Sequence, residues 1–182
     1  MTRTQEVAPA GPELAPSPGT CWPAWPGGRV LIRQAGGGDV GGLRDFLAGL
    51  SAQTRYLRFF AGVPASTAML RIMAGQRPDA DALVATRNGL IIGHAMAVDT
   101  AGPPGAAATE IGVVVADAWQ GRGVGSGLIG ALAARAQDRG ATTLVMEVMA
   151  ENRRVLAMIA GRWPDARHDR SGAYVTVCAP LG

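Results

Sequence analysis

Residues Trp119–Gly130 read WQGRGVGSGLIG, and Gly121, Gly123, Gly125 and Gly127 fall on every second position. A chain without Cβ atoms bends tightly and lets a ligand approach its amides. Upstream, Thr109–Val115 (TEIGVVV) reads as a strand. Downstream, Val124–Arg139 reads as a helix with Leu128, Ile129, Leu132 and Ala136 on one face. A glycine loop between strand and helix aims free N–H groups and the positive end of the helix dipole at one point. That is an anion site, most naturally for phosphate. Gly127 and Gly130 fall inside the predicted helix, where each costs about 1 kcal/mol against Ala. Something must compensate.

Gly125–Gly130 also matches the dinucleotide pattern GxGxxG, with Glu147 near the place of a ribose-binding acid. That fingerprint follows its strand directly, whereas ADAWQ (residues 116–120) intervenes here. Only 52 residues remain after Gly130, too few to finish a nucleotide-binding sheet.

Outward from the loop, Arg29–Arg33 alternates as a first strand. Asp39 is placed to cap a helix carrying Val40, Leu43, Phe46, Leu47 and Leu50. Ser51 caps a second helical piece, SAQTRYLRFF, ending near Gly62; Pro64–Ala74 forms a third, with Met69, Leu70 and Met73 inward. Ala82–Thr86 and Leu90–Val98 flank Asn88-Gly89, a strong hairpin signal. After the loop TAGPPGAA and the central strand and helix come a strand at Thr143–Val148, a short helix at Asn152–Ala160 and a last strand at Ala173–Cys178. The pattern predicts one α/β (α+β) domain over residues 29–182, helices covering a mixed, mostly antiparallel sheet. Residues 1–28 hold half of the 12 prolines and read as a disordered tail. Trp22 and Trp25 in it either dock on the domain or belong to a partner surface.

Composition removes whole classes of chemistry. All 17 basic residues of the 182 are Arg. Without Lys there is no Walker A loop, no pyridoxal or Schiff-base enzyme and no protein kinase. The net charge is +3, with no basic run or stripe, so nucleic acid is not the expected partner. Cys21 and Cys178, with two His, have no metal-ligand spacing. No apolar stretch has signal-peptide or membrane-span length. The expectation is a soluble cytoplasmic protein with no metal and no membrane partner.

Gln120-x-x-Gly123-x-Gly125 resembles the Q/R-x-x-G-x-G/A signature of the GNAT superfamily of acyl-CoA-dependent N-acyltransferases. Its context agrees: EIGVVV before, a helix after, then LVMEV and Glu151-Asn152 opening a last helix. Thr54–Phe60 (TRYLRFF), Ala82–Ala85 (ALVA) and EIGVVVADAWQGRGVG are similar to the acetyltransferase domain of bacterial Pat-type protein lysine acetyltransferases. The resemblance runs from about Arg29 to Ile159. It implies the GNAT fold, acetyl-CoA as acyl donor, and a protein lysine as acceptor. A small-molecule amine, or a non-catalytic acyl-CoA-binding module, are the alternatives. It further implies that amides around Gln120, Gly121, Arg122, Gly123, Val124, Gly125 and Ser126 hold the coenzyme pyrophosphate. Val113, Val114 and Val115 would pair with the pantetheine arm, and Asn152 would lie beside it. Arg122 either reaches a phosphate or is an exposed loop charge.

An amine must lose a proton before it attacks a thioester. Glu110 matches the family's glutamate, and burial would raise its pKa toward working pH; its plainer reading is a solvated strand-edge carboxylate. Glu147 and Glu151 are weaker alternatives. Many superfamily members protonate the leaving thiolate with a Tyr on the last helix; the corresponding residue here, seven after Asn152, is Ile159, and the only tyrosines are Tyr56 and Tyr174. No general acid is identified. His94, in an apolar strand, reads as a hydrogen-bonded core residue, Cys178 as inert core, and Ser126 as a phosphate contact. Arg55 and Arg58 either line the coenzyme or acceptor channel or are solvated.

Overall fold

The computed structural model describes residues 29–60, 66–101 and 107–182. The expected tail with its two tryptophans and Cys21, and residues 61–65 and 102–106, lie outside the described residues.

Seven strands form one sheet in the order β1-β2-β3-β4-β5-β7-β6. They are β1 (Leu31–Gln34), β2 (Ala80–Arg87), β3 (Leu90–Ala101), β4 (Ala107–Val115), β5 (Thr143–Met149), β6 (Arg167–Ser171) and β7 (Tyr174–Pro180). Only β4 and β5 pair parallel, because α4 (Val124–Asp138) crosses between them. The β2–β3 turn places Asn88 at φ 49° and Gly89 at φ 79°, as an Asn-Gly hairpin requires.

Two apolar layers sandwich the sheet. On one face, α4 and α5 (Arg153–Arg162) cover Ile111, Leu144, Met146 and Val177 with Leu128, Ile129, Leu132 and Ile159. On the other, α1 (Val40–Ala48) and α3 (Thr67–Met73) cover Val84 and Val114 with Leu43, Phe46, Leu47, Leu70 and Met73. Both sets follow the 3.6-residue period read from the sequence. Within α4, Gly127 is buried and Gly130 lies beneath the Arg162 guanidinium, 3.3 Å from where a Cβ would sit. Close packing of this kind offsets the glycine penalty. No helix among the described residues is long and apolar enough to cross a membrane.

Two expectations are corrected. Asp39 does not cap α1 through its side chain. It ends a 3-10 turn in helical conformation, and its carboxylate points back to Arg33 (2.6 and 2.8 Å) and the Gly36 amide (2.8 Å). Strand β6 has no apolar alternation to announce it: Arg167–Ser171 reads RHDRS and every residue is exposed. Being an edge strand, it is held by β7 alone.

Candidate active site

Ser51 begins the site. Its Oγ accepts from the Thr54 amide (3.1 Å), starting α2 (Ala52–Phe59) as the sequence indicates. The same Oγ donates to Asp117 (2.6 Å), which also accepts from the Ser51 amide (3.0 Å) and Thr54 Oγ1 (2.7 Å). These three donors hold the Asp117 carboxyl at a pKa of about 2, the Ser51 hydroxyl contributing most. The Gln120 amide nitrogen then donates to Thr54 Oγ1 (3.0 Å) and the Val115 carbonyl (3.1 Å). A sequence-distant knot thus fastens α2 to the segment that follows β4.

β4 and β5 pair over three residues only: Ala108 with Thr143, Thr109 with Leu144 and Glu110 with Val145. Beyond Glu110 the strands part, and the β5-facing backbone edge of Ile111–Val115 has no strand beside it. Glu110 therefore stands at the apex of a fork. A cavity of about 640 Å³ opens there. Its walls include Glu110, Val113, Val114, Val115, Gln120, Gly121, Gly123, Gly125, Ser126, Glu147 and Asn152.

The loop between β4 and α4 needs its glycines at two points. Gly121 (φ 71°) and Gly123 (φ 84°) adopt the left-handed conformation, and Gly123 is the residue from which α4 starts. A Cβ on Gly121 would also collide with the Arg154 guanidinium, which reaches over from α5. The first intrahelical bond goes from the Gly127 amide to the Gly123 carbonyl (3.0 Å). The preceding amides are the free donors of the helix start.

Most of the residues read from the sequence converge here, with differences. Gln120 braces the loop by donating from its side-chain amide nitrogen to Thr54 Oγ1 and the Val115 carbonyl. Val124 is buried in the core, so only its backbone faces the loop. Arg122 lies outside the cavity walls, stacked over Trp119 (5.5 Å to the ring centroid). Ser126 Oγ donates to Met158 Sδ (3.4 Å), and Asn152 Oδ1 caps α5 through the Val155 amide (3.3 Å). Glu110 and Glu147 are solvent-accessible in the cavity, so the expected burial of Glu110 is not met; Glu151 lies outside the walls. Ile159 is 1% exposed and lines the cavity, while neither Tyr56 nor Tyr174 does.

The sequence missed Arg154. Only the return of α5 beside the loop brings its guanidinium over Gly121, and the neighbouring arginines offered no means of choosing it. Arg58 is resolved in favour of the cavity; Arg55 does not line it. His94 is fully buried, its Nε2 donating to the Met73 carbonyl (2.9 Å) as a core histidine should. Burial lowers its pKa to about 4. Cys178 is half-buried and free.

Residues 50–160 match the family model for the acetyltransferase (GNAT) family. The chain belongs to the GNAT acetyltransferase family. It is similar to the crystal structure of the GNAT domain of S. lividans PAT, at 25% identity, with 83% of this chain and 90% of that one covered and a TM-score of 0.74. The yncA protein of Salmonella typhimurium, solved with acetyl-CoA, is 17% identical, with 85% and 95% covered and a TM-score of 0.67. The PaiA N-acetyltransferase of Thermoplasma acidophilum, solved with coenzyme A, is 11% identical, with 84% and 99% covered and a TM-score of 0.67. The last two share the fold. No curated protein sequence gives a significant match to the chain. The helix-covered mixed sheet is thus that of a GNAT N-acetyltransferase.

Proposed function

We propose that the chain moves an acetyl group from acetyl-CoA to the side-chain amine of a lysine in a protein target. The carrying observation is the β4–β5 fork with Glu110 at its apex. Support for a protein lysine comes from the Pat-type resemblance of TRYLRFF and EIGVVVADAWQGRGVG, and from the likeness to the S. lividans PAT domain. A cytoplasmic setting belongs to the same reading.

The residues present fit the donor. The free edge of Val113–Val115 can pair with an extended amide-bearing arm as a neighbouring strand would. Amides from Gly121 to Ser126 converge at the α4 start, where the dipole favours a pyrophosphate. Arg154, over Gly121, adds the guanidinium expected of Arg122. Asn152 lines the path between them.

Acetyl-CoA supplies an activated acyl group. Glu110 then takes the acceptor's proton, directly or through water, since its carboxylate is accessible at the fork. The amine nitrogen forms a bond to the acyl carbon as the carbon–sulfur bond breaks. With Ile159 where a tyrosine hydroxyl often stands, the thiolate takes its proton from water or from the proton released by the amine.

The absence of Lys makes the test clean: every lysine mark must sit on the target. A proteome is incubated with acetyl-CoA and either wild type or Glu110→Gln, with free thiol and lysine acetylation read together. Wild type marks selected lysines; Glu110→Gln does so roughly 100-fold more slowly while acetyl-CoA still raises its melting temperature. Identical marks with both proteins, alongside wild-type turnover of a polyamine or amino sugar, replace the protein target by a small amine. Tight acetyl-CoA binding with no turnover of either favours a non-catalytic module.

A further inference from the structure

Arg58 sits in the last turn of α2 and lines the same cavity as Glu110. Glu110 and Gly112 are two residues apart on β4 and so face the same side of the sheet. The guanidinium occupies the space above Gly112: a Cβ there would meet Nη2, Cζ (2.6 Å) and Nε (3.2 Å). Gly112 is therefore what admits Arg58 to the fork. The guanidinium also lies over the Phe59 ring, 5.0 Å from its centroid.

Its Nε is buried and has no hydrogen-bond partner. None of the ion pairs among the described residues includes Arg58, whereas Arg77, another cavity arginine, is paired with Asp79. Burial pulls the Arg58 pKa down, and the Glu110 carboxylate, near but not in contact, pulls it up. An arginine nevertheless keeps its charge in a protein. A cation desolvated in a ligand cavity without a bonded anion is costly unless the ligand brings one. A lone ammonium would meet repulsion from Arg58. A ligand carrying an ammonium and a carboxylate close together presents the complement of the Glu110–Arg58 pair.

We propose that Arg58 is the specificity-determining residue of the acceptor site, and that it binds a carboxylate carried beside the acceptor amine. The inference deepens the protein-lysine reading and rests on it: in a protein target the carboxylate belongs to an Asp or Glu neighbouring the modified lysine. In a free amino acid it would be the α-carboxylate.

The experiment compares two peptides, one lysine flanked on both sides by Glu and the same lysine flanked by Gln. It adds a small pair, leucine and isopentylamine, which share a skeleton and differ in the carboxylate. Wild type has a kcat/KM roughly 10–100-fold higher for the Glu-flanked peptide, the range of a hydrogen bond to a charged group. The difference lies mainly in KM. Arg58→Gln brings the ratio close to one and keeps the acetyl-CoA melting shift; Arg58→Lys retains part of the preference. If neither peptide turns over but leucine does and isopentylamine does not, in an Arg58-dependent way, the carboxylate inference stands and the protein-lysine reading falls. Equal wild-type rates within both pairs overturn the inference. So does a preference that survives Arg58→Gln, or a loss in kcat by the same factor for every acceptor.

Discussion

The two walls of the cleft are built by opposite means. The wall formed by Val113–Val115 and Gln120–Ser126 works through backbone: a free strand edge, two left-handed glycines and a helix start. The wall formed by α2 works through side chains, with Arg58 resting over Gly112 and Phe60 beyond it. Phe60 itself has φ 58°, a strained conformation for a bulky residue, and its ring meets Tyr174 edge-on at 5.0 Å. A left-handed backbone disfavours side chains, and so Gly121 and Gly123 write themselves into the sequence. A side-chain site reveals itself only when its neighbours are known. Asp117 joins the two walls, and substitutions separate their contributions.

The largest expected effect is on the backbone wall. Gly121→Val places a branched side chain against Arg154 in a left-handed conformation. It should erase the melting shift given by acetyl-CoA, measured by thermal denaturation over a donor titration. Arg154→Ala should weaken that shift without removing it, by roughly tenfold in donor affinity. An unchanged shift in Gly121→Val would end the assignment of this loop to the donor.

Next comes the apex. Glu147→Gln should leave kcat within about twofold, against the roughly 100-fold loss in Glu110→Gln, because only Glu110 ends the paired part of the fork. Steady-state kinetics of both variants on one acceptor decide between the two carboxylates.

A smaller effect is expected at the joint. Asp117→Ala removes the acceptor for Ser51 and Thr54 and loosens α2 from the loop. KM for donor and acceptor should both rise, by roughly threefold to tenfold. The Asp117 pKa is depressed from 3.8 to about 2, so its contribution to stability is full above pH 3.8 and lost as pH falls toward 2. Acid titration of stability should lack that limb in the variant.

The smallest effect on turnover lies away from both walls, where the readout is stability. His94 falls from 6.5 to about 4 on folding. Between these values the unfolded chain binds a proton that the native chain refuses, so stability declines as pH drops from 6.5 to 4. His94→Gln, which keeps a donor for the Met73 carbonyl, should flatten this part of the profile. A slope unchanged in the variant would move its origin elsewhere.

Much of the fold was legible because its signals are local. Ser51 caps α2, Asn88-Gly89 turns the hairpin, and Leu128, Ile129, Leu132 and Ala136 mark the buried face of α4. Strand β6 gave no sign, since an exposed edge strand needs no apolar residues and is defined by its pairing with β7. Asp39 misled because a capping residue and an ion-pair partner look alike in sequence; Arg33, six residues earlier, claimed it.

The sequence by itself determined the family resemblance and a candidate donor side: absent lysines excluded other chemistries, and the spaced glycines between strand and helix marked a candidate anion site through backbone freedom, a property of each glycine alone. Only the tertiary structure decided which charged side chains stand there. It set Arg154 over the loop in place of Arg122, left Glu110 accessible rather than buried, and placed Arg58 beside it. The electrostatics of a side chain depend on solvent and neighbours brought from distant segments, and no local pattern encodes them.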